Sequence, residues 1–132
     1  MTRSFFVAGA AALVAAHAFA LSPALAKAGD YRFELLGKPQ AQAGADLVQV
    51  RLIHIPDGKP VAGAVIFEST ADMGPMGMAV MTAPVQALPP KAGVYGFAVT
   101  PGMTGTYAVH LAAKVQGEPE TVRGAVTADL VK

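Results

Sequence analysis

A chain of 132 residues with 10 Lys and Arg against 9 Asp and Glu, no Cys and no Trp, has room for one small domain. Its basic residues are scattered from Arg3 to Lys132 with no basic run, so no electrostatic footprint for a phosphate backbone exists and nucleic-acid binding is not expected. Zero Cys excludes a disulfide framework, a thiolate zinc site, iron–sulfur ligation and a cysteine nucleophile.

Residues 1–26 read as a secretory signal peptide, with Arg3 ahead of the apolar stretch 5–21 and small residues at Ala24, Leu25 and Ala26. An A-x-A site at 24–26 releases a chain beginning at Lys27; Ala18, Phe19 and Ala20 form an earlier alternative. The stretch is at or below the ~20 residues that span a bilayer and is followed at once by Pro23. The expectation is therefore cleavage near Ala26, a single domain over 27–132 in the periplasm, and no membrane span afterwards. Loss of Arg3 leaves the mature chain with balanced charge.

Hydrophobic residues at 53% argue against disorder, while 14 Gly and 10 Pro argue against long helices. From Tyr31 onward, short apolar runs alternate with Gly/Pro turns, and no window sustains helical periodicity. A first strand covers 31–36. After a loop at 41–45, a half-buried strand covers 46–55, with Val48, Val50 and Leu52 on one face against Gln49 and Arg51 on the other. The turn at 56–60 leads to a strand over 61–69. Residues 71–81 read as a Gly/Met/Pro loop, 83–88 as a weak strand, and 89–93 as a break. Strands at 94–100 and 105–114 flank a compact turn at 101–104, which reads as a hairpin. A second turn at 117–120 precedes the last strand, 121–131. The sum is an all-β, immunoglobulin-like β-sandwich of about seven strands.

Enzyme chemistry fails on inventory: past the leader there is one Ser, Ser69, and two His, His54 and His110, on separate predicted strands. No Walker loop, dinucleotide fingerprint or H-E-x-x-H occurs, and the carboxylate pairs lie in turns. The protein is not expected to be an enzyme.

Methionine is the exception. Past the initiator there are Met73, Met76, Met78, Met81 and Met103, and the first four lie within nine residues, spaced M-x-x-M-x-M-x-x-M among Gly and Pro. Thioether sulfur is soft and uncharged, suited to Cu(I) and a poor ligand for hard cations. An oxidising compartment favours it over thiolate. The alternative is that these flexible side chains fill gaps over one end of the sandwich. Met103 joins the set only if its turn lies at the same end. His54 and His110 are further candidate ligands, since neutral imidazole binds copper, or else are ordinary structural and surface residues.

The runs 58–64 (GKPVAGA), 72–78 (DMGPMGM), 81–84 (MTAP), 93–95 (GVY) and 102–107 (GMTGTY) together resemble the YtkA-like/FixH-like family of exported domains, over about 46–130. That resemblance implies a periplasmic immunoglobulin-like sandwich linked to copper or other heavy-metal handling, often beside efflux systems. Position by position it carries over Met73, Met76, Met78, Met81 and Met103. Tyr107 departs from it, standing where Trp is common, and a FixH-type role in oxidase assembly is not expected. The sequence-level expectation is a soft-metal carrier or tolerance factor that binds Cu(I) and hands it to an efflux or delivery component. The alternative is a metal-free interaction module of an exported or efflux complex that docks through the same apolar loop.

Overall fold

The computed structural model describes residues 28–132; the expected leader and its expected cleavage site lie outside the described residues. Strand β3 (Ala45–His54) shows how alternation in sequence becomes a layer. Asp46, Val48, Val50 and Leu52 point inward and are buried, while Leu47, Gln49 and Arg51 on the other face are half-buried. Ala45 already belongs to this strand: β2 (Gln40–Gln42) turns through residues 43–44 and pairs back on it, so the expected loop at 41–45 is a short hairpin.

Strand β3 is the hub of the first sheet. The order is β1 (Tyr31–Leu35), β3, β8 (Tyr95–Val99), β7 (Val85–Ala87), with β2 and β4 (Lys59–Pro60) also pairing with β3. In the second sheet the order is β10 (Val122–Leu130), β9 (Gly105–Lys114), β5 (Val65–Met73), β6 (Met78–Ala83). All named pairings are antiparallel. These are the A-B-E-D and G-F-C sheets of the immunoglobulin fold, with β6 added beside the C strand. The core lies between them: Phe33, Val48, Val50, Leu52, Phe97 and Val99 from one sheet meet Tyr107, Val109, Leu111, Val122, Val126 and Leu130 from the other. Each large apolar side chain buried this way contributes about 1.5–3 kcal/mol.

Two expectations are corrected here. Strands 94–100 and 105–114 do not form a hairpin: β8 pairs with β3 and β7, and β9 with β10 and β5, so the turn at 101–104 carries the chain from one sheet to the other. Tyr107, near the start of β9, donates its hydroxyl to the Met103 carbonyl at 2.9 Å, the corner bond that immunoglobulin-like sandwiches place at this crossing. The supposed loop 71–81 is largely strand. Its turn residues are concentrated at 74–77, and the apolar residues on both sides continue β5 and begin β6. Pro84 separates β6 in one sheet from β7 in the other, at a point where a missing N–H costs no ladder bond.

The strand expected at 61–69 begins only at Val65, because the preceding residues are held by a side chain. Tyr95 donates its hydroxyl to the Val61 carbonyl at 2.9 Å and accepts the Ala64 N–H at 3.1 Å. Tyr95→Phe is expected to cost about 1 kcal/mol in urea denaturation, since those two backbone groups lose their partner. Burial also raises the Tyr95 pKa. The unfolded chain therefore releases this proton first, and the associated stability is full below about pH 10 and declines as pH rises beyond it. The Phe variant should show a shallower alkaline decline.

Candidate functional site

The turn between β5 and β6 is built by three local devices. Asp72 accepts the Gly74 N–H on Oδ1 at 2.8 Å, an Asx-type bond that bends the chain as β5 ends. Pro75 supplies a fixed φ at the start of the 3-10 turn Gly74–Met76. Gly77 closes it in the left-handed region at φ 74°, with its N–H donated to the Gly74 carbonyl at 2.8 Å. Met73 and Met78 are then directly opposite across the strand pair. The next pair is Asp72 with Thr82, so residues 79–81 bulge out of register, leaving Val80 90% and Met81 45% exposed.

Met76 reaches from this turn to β9. Register between β5 and β9 ends with Asp72 opposite Ala108, and two residues earlier Thr106, paired with Asp129 of β10 on its other side, has no residue of β5 opposite it. The Met76 sulfur takes that place, accepting the Thr106 N–H at 3.2 Å. The neighbouring Gly105 makes the approach possible. A Cβ there would lie 2.6 Å from Met73 Cε and 2.8 Å from Met76 Sδ, so one or both thioethers would have to shift. Met103 lies just before, in the corner turn anchored by Tyr107. That turn is also tied at Thr104, whose hydroxyl accepts the Lys132 N–H at 3.0 Å.

The five methionines therefore share one end of the sandwich but not one environment. Met73 is fully buried in the core and Met78 is partly buried against it, the packing role that flexible thioethers fill well. Met76, Met81 and Met103 are 49%, 45% and 41% exposed. Among the described residues no three His, Cys, Asp or Glu side chains gather into a metal-sized group, so sulfur dominates the donor chemistry at this end.

The histidines divide. His54 is at the far end of β3, about 30 Å along the strand from Ala45 at ~3.3 Å per residue. There its Nδ1 is 3.0 Å from Asp57 Oδ1 and its ring is 5.1 Å from that of Tyr31. The Lys59 N–H and then His54 hold the Asp57 carboxyl below its usual range. The structure does not bring His54 together with the methionines. His110 is half-exposed on the outer face of β9, with Nε2 2.8 Å from Asp72 Oδ2. Through Asp72, whose other oxygen holds Gly74, it is connected to the methionine turn.

The YtkA-like family model matches residues 25–112, which takes in both the methionine turn and the Met103 corner. The chain belongs to the YtkA-like family. No curated protein matches it. Among solved structures, the crystal structure of a DUF4426 family protein from Pseudomonas aeruginosa PAO1 is similar at 16% identity and a TM-score of 0.44, covering 78% of this chain and 92% of that one.

Sequence reasoning missed three parts of this YtkA-like site: Asp72 as the organiser of the turn, Gly105 as the floor beneath Met76, and the Thr106 N–H as a partner for sulfur. Only the first had a readable signal, the Asp-x-Gly spacing that favours a side-chain-closed turn. Among the described residues no helix is long and apolar enough to cross a membrane.

Proposed function

We propose that this YtkA-like domain is a non-enzymatic, periplasmic carrier or tolerance factor for Cu(I), which it passes to an efflux or delivery component. The observation that supports this reading most is the seat of Met76: an exposed thioether fixed over Gly105, beside the corner turn that bears Met103. Met76, Met81 and Met103 are the accessible donors, with Met73 and Met78 beneath them. Uncharged soft sulfur selects Cu(I) over hard cations. Thioethers release no proton on binding, so affinity should be nearly independent of pH; a histidine ligand would instead weaken it as pH falls through ~6.5.

The test is a Cu(I) titration of the exported protein against a competing chelator, beside a Met76→Leu/Met81→Leu/Met103→Leu variant, at two pH values. One ion bound by the wild type, lost in the variant and insensitive to pH, is the expected result. Equal binding by both proteins, or no competition with the chelator, would overturn it.

The exposure of Val80 and Met81 on edge strand β6 favours the second reading, a metal-free module that docks an apolar edge on an exported complex. Leu preserves apolar volume, so the triple variant would then retain its partner.

A further inference from the structure

We propose that Met76 is an oxidation switch: a peroxide-class oxidant converts its thioether to the sulfoxide, and the product releases the turn at 74–77 from β9. The step is a two-electron oxidation of sulfur. An S–O bond forms, the peroxide O–O bond breaks, one peroxide oxygen stays on sulfur, and the other leaves as water after taking up the peroxide proton. Sulfoxide is reversible by dedicated reductases, so the change is a switch and not only damage.

Three observations carry the assignment. Access is selective, since Met76 is 49% exposed whereas Met73, the other methionine over Gly105, is 0% exposed. The Met76 sulfur also has a structural role. Among the described residues it is the methionine sulfur that accepts a hydrogen bond, and it stands in for the strand partner that Thr106 lacks on the β5 side. Space between the sulfur and its donor is exhausted. The Thr106 N and the sulfur are 3.2 Å apart, little more than the ~2.9 Å that an N–H···O bond needs by itself. An oxygen placed between them drives the sulfur outward, and an oxygen turned to the exposed side leaves an electron-poor sulfur that accepts the Thr106 N–H poorly and is drawn toward water. Either way the bond that ties the turn to β9 is lost. Met81 and Met103 oxidise as well, but neither sulfur joins two elements.

This inference does not depend on the copper reading, although oxidation would also withdraw a soft donor if that reading holds. The exported protein is treated with hydrogen peroxide for increasing times, quenched, and mapped by peptide mass spectrometry. Met76 should gain one oxygen well before Met73 and Met78. Amide hydrogen exchange at Thr106, followed by NMR, should become about five- to tenfold faster as Met76 oxidises, the scale set by losing one hydrogen bond. In a Met81→Leu/Met103→Leu variant, Met76 should still oxidise before Met73 and Thr106 exchange should still quicken with it. In Met76→Leu, Thr106 should exchange fast from the start and not respond to peroxide. Oxidation of Met76 no faster than that of Met73, or full oxidation of Met76 with unchanged Thr106 exchange, would overturn the proposal, whatever the Cu(I) titration shows.

Discussion

Tyr107→Ala is expected to lower stability by about 3–5 kcal/mol, the range for removing a large buried aromatic side chain. Tyr107 is 1% exposed and heads the fully buried side chains by volume. Its ring fills the space where β8 crosses to β9, and its hydroxyl holds the Met103 carbonyl at 2.9 Å. For a small domain whose total stability is about 5–15 kcal/mol, such a loss consumes a large part of the margin. Tyr107→Phe separates ring from hydroxyl: it keeps the packing and should cost only about 1 kcal/mol. Urea denaturation with circular dichroism measures both. A Phe variant as unstable as the Ala variant would mean that the ring has lost its seat too, and a Phe variant equal to wild type would remove the corner bond from the account. Under the copper reading the Phe variant should also bind Cu(I) more weakly, because the Met103 turn is no longer pinned.

The same residue marks the border of what the sequence made legible. Alternation over 46–52 predicted which side chains of β3 are buried, and Val48, Val50 and Leu52 are indeed sealed in the core. The turn at 117–120 joins two strands that do pair with each other, β9 and β10. The turn at 101–104 looked equivalent and is not. A compact turn between alternating runs serves equally for a hairpin and for a crossing between sheets, and the difference lies in a hydroxyl four residues away reaching back to Met103. At 71–81, Gly and Pro content was averaged over a segment whose turn chemistry occupies only four residues. The candidate site was legible as a cluster of methionines at one place in the chain. The division of the strand methionines into buried Met73, partly buried Met78 and exposed Met81 follows from the register of β6 on β5 and its bulge at 79–81, and sequence spacing does not encode that bulge; Met76 and Met103 are exposed in the turns at 74–77 and 101–104.

Gly105→Ala should be the most informative single change at the methionine end. Gly105 lies outside the left-handed region that favours glycine, so alanine meets no backbone penalty there and narrows the unfolded ensemble, which alone would stabilise by about 0.4–1 kcal/mol. The contacts oppose this. The added methyl falls 2.6 Å from Met73 Cε and 2.8 Å from Met76 Sδ. Met76 is half-exposed and can swing into solvent at the expense of its bond to Thr106, whereas Met73 is enclosed by the core and can yield only by disturbing its neighbours. Overpacking of this kind costs about 1–3 kcal/mol, and the steric term wins. The expected result is a net loss of stability together with faster exchange at Thr106. A double-mutant cycle with Met76→Ala tests the cause, because emptying the Met76 seat gives the Met73 methyl somewhere to go. The cost of Gly105→Ala should then shrink by at least about 0.5 kcal/mol, the coupling typical of residues in contact. An undiminished cost would place the clash on Met73 alone and would leave Met76 without the fixed seat on which both its proposed roles depend.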